Sequence, residues 1–305
     1  MSAALIAIDW GTSTARAYRL DMRGGILDRK SAPLGVQKVA AGGFPGALRL
    51  LLDGANDDVP LIACGMIGSR QGWIEAPYRD CPADFAMIAS ALTPVPGARL
   101  SIVPGLICRD VAGIPDVMRG EETQIFGALD EPEARHGARR VVVLPGTHSK
   151  WALVGGHGIE TFATFMTGEL YAVLREHSIL GRIAAPGNDA AAVEQGVKRS
   201  LDADASLSHD LFSARTLALV SELAPEAVGD YLSGLLLGAE VAAGRRWLER
   251  HAVMGESVTL VGDAALCERY RRALAIAGVD AMIGSPDAAA RGLWRIARRA
   301  GMVER

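Results

Sequence analysis

The chain has 305 residues, half of them apolar and only 5% aromatic, with 35 glycines and a formal charge of −3. That length exceeds what one hydrophobic core usually serves, so two lobes are expected, and the composition suits an aliphatic α/β protein rich in tight turns. The small negative charge gives no bulk attraction toward nucleic acid or an anionic membrane. Cys64, Cys81, Cys108 and Cys267 show no C-x-x-C spacing and join no cysteine–histidine cluster of the zinc-binding kind, so they read as scattered thiols of a reducing compartment. The first residues lack a charged leader, Asp9 interrupts their apolar stretch, and no apolar run is long enough to span a bilayer. A soluble cytoplasmic protein is the expectation.

In chain order, residues 5–8 and 16–20 read as strands joined by a turn over 10–14, and the Gly24-Gly25 pair turns the chain into a third strand near Ile26. Residues 46–52 have helical spacing. The runs 61–68 and 100–108 read as buried strands, with a helix over 83–92 between them. Glu121 and Glu122 open a helix. The charged, proline-containing stretch 129–140 reads as a linker, placing one domain at 1–128 and the other at 129–305. Residues 141–144 and 151–154 then form a second hairpin, and a glycine turn leads into a strand over 159–165. Helices follow over 169–177, 190–201, 213–223 and 228–250. Residues 258–278 read as strand, turn and helix, and 287–299 as a closing amphipathic helix. The apolar run 231–244 reads as core or as a homodimer face.

The two hairpins carry one pattern written twice. Without gaps, "VVVLPGTHSKWALV" (141–154) lies on "IAIDWGTSTARAYRL" (6–20) with Gly146 on Gly11, Thr147 on Thr12 and Ser149 on Thr14. A glycine-and-hydroxyl turn between two strands aims backbone N–H and O–H donors in one direction, which binds phosphate oxygens without needing a lysine. Two such turns, Gly11, Thr12, Ser13, Thr14 and Gly146, Thr147, His148, Ser149 with Lys150 beside it, could grip a polyphosphate from both sides of a cleft. Leu144 stands where the first copy has Asp9. One carboxylate at one turn suits a single magnesium ion bridging phosphates; the plainer reading of Asp9 is a turn cap. Neither G-x-x-x-x-G-K-[ST] nor G-x-G-x-x-G occurs, which counts against P-loop and Rossmann folds.

"DWGTSTAR" and "LPGTHSKW" resemble the two phosphate motifs of the actin-like ATPase superfamily, and "LVGDAAL" (260–266), with Gly262 and Asp263, resembles its adenosine motif with fewer glycines. With "CGMIGSRQGW", "RGEETQIFGAL", "TFMTGELYAVLREHSILGR" and "GDAALCERYRRAL" in order along nearly the whole chain, the sequence is similar to the 2-dehydro-3-deoxygalactonokinase family. The resemblance implies two ribonuclease H-like lobes, ATP and Mg2+, and phosphorylation of the terminal hydroxyl of a sugar acid in galactonate breakdown. It also implies a catalytic acid in "RGEETQ": Glu121 first, with Glu122 the alternative, since consecutive helical positions point different ways.

An acidic acceptor calls for a basic or amide clamp. Ser69, Arg70, Gln71 and Trp73 in the glycine-bounded loop are the candidates, with Arg109 and Arg119 weaker. Thr167, Gly168 and Glu169 open a helix whose N–H groups could also meet the substrate. Two rival readings remain at this stage: an exopolyphosphatase-like hydrolase in which Glu121 activates water, and an actin- or chaperone-like ATPase switch.

Overall fold

The computed structural model describes residues 2–53, 59–129, 139–202, 206–253 and 255–303. The chain forms two compact units. Unit 1 comprises Met1–Ala138, Leu153–Phe162 and Ser285–Arg305, and unit 2 comprises Arg139–Ala152 and Ala163–Gly284.

Unit 1 contains β1 (Leu5–Trp10), β2 (Ala15–Leu20), β3 (Ile26–Ala32), β4 (Leu61–Cys64), β5 (Arg79–Asp80), β6 (Thr93–Pro94), β7 (Leu100–Ile102), β8 (Leu106–Arg109) and β9 (Pro115–Met118). Its main sheet has the order β3-β2-β1-β4-β7-β6, and β5-β8-β9 make a smaller one. β1 pairs antiparallel with β2 and parallel with β4, which sets Asp9 opposite Arg16 on one side and Cys64 on the other. β4 and the first four residues of β1 are apolar runs because they are buried on both faces. Helices α1 (Phe44–Leu51), α2 (Phe85–Ser90) and α3 (Glu121–Ala128) accompany the sheets.

A further sheet repeats the plan with β10 (Arg140–Leu144), β11 (Ser149–Gly155), β12 (Gly158–Phe165), β13 (Val258–Leu260) and β14 (Ala281–Ile283), in the order β12-β11-β10-β13-β14, and belongs to unit 2 apart from residues 153–162. β10 pairs parallel with β13, as β1 does with β4. The helices of unit 2 are α4 (Thr167–His177), α5 (Ala190–Ser200), α6 (Leu207–Asp210), α7 (Ser213–Leu219), α8 (Pro225–Arg250) and α9 (Ala264–Ile276). Leu232, Leu235, Leu236, Leu237 and Val241 of α8 are buried within unit 2, so the apolar run 231–244 is core. Among the described residues, no helix is long and apolar enough to cross a membrane.

Two expected strands break. The run 61–68 leaves the sheet after Cys64, where Gly65 takes a φ of 92° and Met66–Gly68 coil into a 3-10 turn. The run 100–108 splits into β7 and β8, which belong to different sheets, because Pro104 between them has no N–H to give a ladder. Helix 83–92 contracts to 85–90, capped by the Asp84 carboxylate accepting from Met87 N at 2.8 Å, and helix 213–223 stops at Leu219. Of the expected linker, residues 130–138 lie outside the described residues.

The units also do not follow a single cut after residue 128. The last helix, α10 (Ala288–Arg299), belongs to unit 1, as does the reversal 153–162, where Ala83 and Ile159 exchange backbone hydrogen bonds. The reason for the first is steric: α10 crosses α3 at glycines. A Cβ on Gly292 would stand 1.9 Å from Thr123 O, and one on Gly127 would stand 1.8 Å from Ala288 O. Arg295 closes the far end of α3 by donating to the Phe126 carbonyl at 2.5 Å and to that of Leu129. Gly292→Ala is therefore expected to cost about 1–3 kcal/mol of stability, as overpacking does, read as a lowered denaturant midpoint. An unchanged midpoint would mean that the crossing gives way without cost.

Candidate active site

Asp9 is the penultimate residue of β1, near the mouth of the first turn, with its side chain 13% exposed and Arg16 Nη1 3.4 Å from its carboxylate. Burial pushes its carboxyl above the usual range. Arg16 pulls it back, and the nearby charge of Glu121 pushes it further up. The turn is braced from behind: Gly11 N donates to Thr14 O at 2.9 Å, while Val36 N and Gln37 N donate to the carbonyls of Gly11 and Thr12. Thr12 and Ser13 at its tip are exposed, with Gly11 and Thr14 half-buried.

Glu121 and Glu122 begin α3 in opposite environments. Glu121 is half-buried and accepts from Arg119 N at 2.9 Å. Glu122 is fully buried; its carboxylate accepts from Gly120 N at 2.7 Å and from Thr123 Oγ1 at 2.9 Å. Burial raises the Cys64 thiol well above the ordinary range, and the Asp9 and Glu122 carboxyls nearby add to it. Among the described residues, no group of three or more His, Cys, Asp or Glu side chains is disposed to hold a metal ion. Magnesium keeps several waters and is held by one or two carboxylates plus substrate phosphates, and the Asp9 carboxylate beside an exposed glycine–hydroxyl turn fits that demand.

The loop after β4 holds its candidates differently from one another. Arg70 is exposed, with Nε 3.1 Å from Glu75, and Gln71 is exposed. Trp73 stacks on Phe44 at 6.0 Å, which anchors the loop on the core of unit 1. Ser69 is half-buried. Arg119 is buried, donates to Ala76 O at 2.8 Å and lies over the Tyr78 ring at 4.3 Å. Arg109 is exposed and donates to Gly113 O at 2.9 Å, so it serves its own hairpin.

In unit 2 the second turn presents exposed Thr147 and His148 and half-buried Gly146, but Ser149 and Lys150 point inward. The Ser149 hydroxyl is fully buried and donates to Glu240 at 2.8 Å, which takes it away from the phosphate-facing role expected of it. Lys150 Nζ donates to His148 O at 3.4 Å. The start of α4 sits directly on the turn: Glu169 N donates to Thr147 O at 3.0 Å, and His148 Nε2 hydrogen-bonds the Glu169 carboxylate. A Cβ on Gly168 would stand 2.5 Å from Gly146 O, so that seat accepts only glycine. Thr167 and Gly168 thus belong with the turn. Together they line a pocket of about 490 Å³ whose other walls are Leu236 and Leu237 of α8, Tyr171, and Asp263, Leu266 and Tyr270 around the start of α9. Asp263 caps α9 by accepting from Leu266 N at 3.0 Å, and Gly262 precedes it at a φ of 150°. Sequence reading missed Glu240, Tyr270 and the two leucines. Their one signal is an acid inside an otherwise apolar helical run.

A family model for 2-keto-3-deoxy-galactonokinase matches residues 9–296. The chain belongs to that family. It is 37% identical over 293 residues to the 2-dehydro-3-deoxygalactonokinase of Escherichia coli (strain K12), covering 95% of each chain. It is equally 37% identical over 313 residues to the Rhizobium meliloti (strain 1021) protein named "Probable 2-dehydro-3-deoxygalactonokinase DgoK1", covering 94% of this chain and 97% of that one. A crystal structure from Sinorhizobium meliloti whose name places it in the same family superposes with a TM-score of 0.86 at 36% identity, over 96% of this chain and 98% of that one. The activator of 2-hydroxyisocaproyl-CoA dehydratase from Clostridium difficile, solved with bound ADPNP, shares the fold alone, with a TM-score of 0.50 at 13% identity over 97% of this chain and 95% of that one. The α/β architecture expected from the sequence is thus shared with a solved member of the family and, as fold alone, with that activator.

Burial, aided by repulsion from Glu121, lifts the Glu122 carboxyl to about 8, against the hydrogen bonds from Gly120 and Thr123. An unfolded glutamate titrates near about 4.3. Between those values the native state holds a proton that the unfolded chain has lost, so this group makes stability fall as pH rises from about 5 to about 8. Glu122→Gln, which cannot ionise, is expected to flatten that part of the melting-temperature profile. Parallel profiles for the variant and the wild type would show that Glu122 is ionised throughout.

Proposed function

We propose that the chain transfers the terminal phosphoryl group of ATP to the 6-hydroxyl of 2-dehydro-3-deoxy-D-galactonate, in the cytoplasm, as a step of galactonate breakdown. The observation that carries the mechanism is the split between the two helix-start acids. Glu122 is sealed and occupied by internal donors, whereas Glu121 is half-buried beside Asp9. Glu121 is assigned the task of orienting the acceptor hydroxyl and receiving its proton. Asp9 would hold Mg2+, which when bound neutralises charge on the phosphates. The exposed donors of Thr12 and Ser13 in unit 1, and of Gly146 and Thr147 in unit 2, take phosphate oxygens. The largely apolar pocket behind Thr147 and Asp263 takes the nucleoside, its size matching a base better than a further run of phosphate. That match favours a kinase over an exopolyphosphatase-like hydrolase.

Phosphoryl transfer passes through a loose transition state, so positioning and charge neutralisation carry most of the rate. ADP release by the purified protein, followed with several 2-keto-3-deoxy sugar acids, tests the assignment. Release is expected only with an acceptor and fastest with the galacto acid; acceptor-independent release would replace the kinase with a hydrolase. In the same assay Glu121→Gln should lower kcat by about 10²–10⁴-fold with little change in either KM. A larger loss in Glu122→Gln would exchange the two roles.

The acceptor carboxylate is assigned to the loop carrying Arg70. Its ion pair with Glu75 is exposed on both sides and weak enough to exchange for a ligand. Arg70→Ala is expected to raise KM for the sugar acid about ten- to hundredfold, the loss of one charge-assisted contact, while sparing KM for ATP. Equal changes in both constants would make Arg70 structural.

A further inference from the structure

Glu240 lies in the middle of α8, 3% exposed, inside the apolar run that fills unit 2. Its Oε1 accepts from Trp151 Nε1 at 2.8 Å, and its Oε2 accepts from Ser149 Oγ and Tyr270 OH, each at 2.8 Å. The Thr167 side chain is a fourth hydrogen-bond partner. A carboxylate offers about four lone-pair positions, so these four groups saturate it, and the Ser149 and Tyr270 oxygens lie 3.2 Å apart. The donors come from separate pieces of unit 2: the strand leaving the second turn, the start of α4, and the helix following Asp263. Thr167 and Tyr270 themselves line the pocket, while Glu240 stands behind its wall. Burial pushes the Glu240 carboxyl upward and each donor draws it back, the balance of an acid kept inside by its partners.

A buried carboxylate is a costly way to fill space. An aliphatic side chain would serve packing alone, but it could not fix the direction of three hydroxyls and an indole N–H at once. We infer that Glu240 is a positioning residue for the nucleotide: it locks Ser149, Thr167, Trp151 and Tyr270 into one arrangement, and so sets the second turn, the seat of α4 and the pocket wall relative to each other. This rests on the assignment of that pocket to adenine nucleotide.

Glu240→Gln keeps the volume but turns an NH2 toward groups that had been donating. It is expected to weaken ADP binding, measured by calorimetry, and to raise KM for ATP by about tenfold or more, the scale of a buried polar mismatch. KM for the sugar acid should stay within about twofold. Tyr270→Phe removes one donor and leaves its ring on the wall; it should shift the same constants the same way by a smaller factor, about threefold, and it serves even where Glu240→Gln fails to fold. Folded variants that bind ADP as the wild type does would overturn the inference and leave the kinase reading intact, as would a parallel rise in both KM values. A wild-type protein that takes no ADP would overturn both.

Discussion

Parallel pairing at one strand edge organises each unit. β1 lies between a hairpin partner and a parallel neighbour, and so does β10. In such a sheet the carboxyl ends of the two parallel strands come out side by side, and the chain must leave both through turns whose backbone groups have no ladder to join. In unit 1 that edge gathers Asp9, the Gly11–Thr14 turn and the glycine after Cys64. In unit 2 it gathers the Gly146 turn and Gly262 with Asp263, where a Cβ on Gly262 would come 3.4 Å from Pro145 O. Donors for an anionic ligand are thus a by-product of topology, and the sequence adds a carboxylate to one copy and an apolar wall to the other.

The three acids of unit 1 show how burial separates roles among like groups. Glu121 lies close enough to Asp9 and to Glu122 for its charge to register on each. Glu122 is turned into the protein, where backbone and hydroxyl donors occupy it and desolvation favours its neutral form. A neutral Glu122 adds no charge beside the two carboxylates of the proposed site. Glu121 remains at the boundary, where an acceptor hydroxyl can reach it. Adjacent positions at a helix start thereby divide into an acid at the boundary, the one proposed to carry the proton, and a fixed support.

Much of this was legible from residues alone, because the signals were local. The glycine–hydroxyl turns, the strand ends before them and the acids opening α3 follow from short-range pattern, and both hairpins appear where the pattern put them. What escaped depended on partners distant in sequence. Ser149 aligns with Thr14 yet faces inward, because Glu240, 91 residues later, draws its hydroxyl down. The run 100–108 looks continuous until Pro104 sends its second half to another sheet. The last helix reads as amphipathic without disclosing which unit its apolar face will meet.

That last helix has a consequence for how the protein is made. Unit 1 is discontinuous in sequence, and α3 packs closely on α10, which follows unit 2 in the chain. While a ribosome is still adding residues after 284, the whole of unit 2 has been synthesised and can fold as a domain. The helix bearing Glu121 still lacks the surface that holds it. A nascent chain could therefore complete the pocket beside Thr147 before the helix carrying Glu121 has its seat. The site proposed for unit 1 is then assembled after the pocket of unit 2, in an order set by the sequence of the chain.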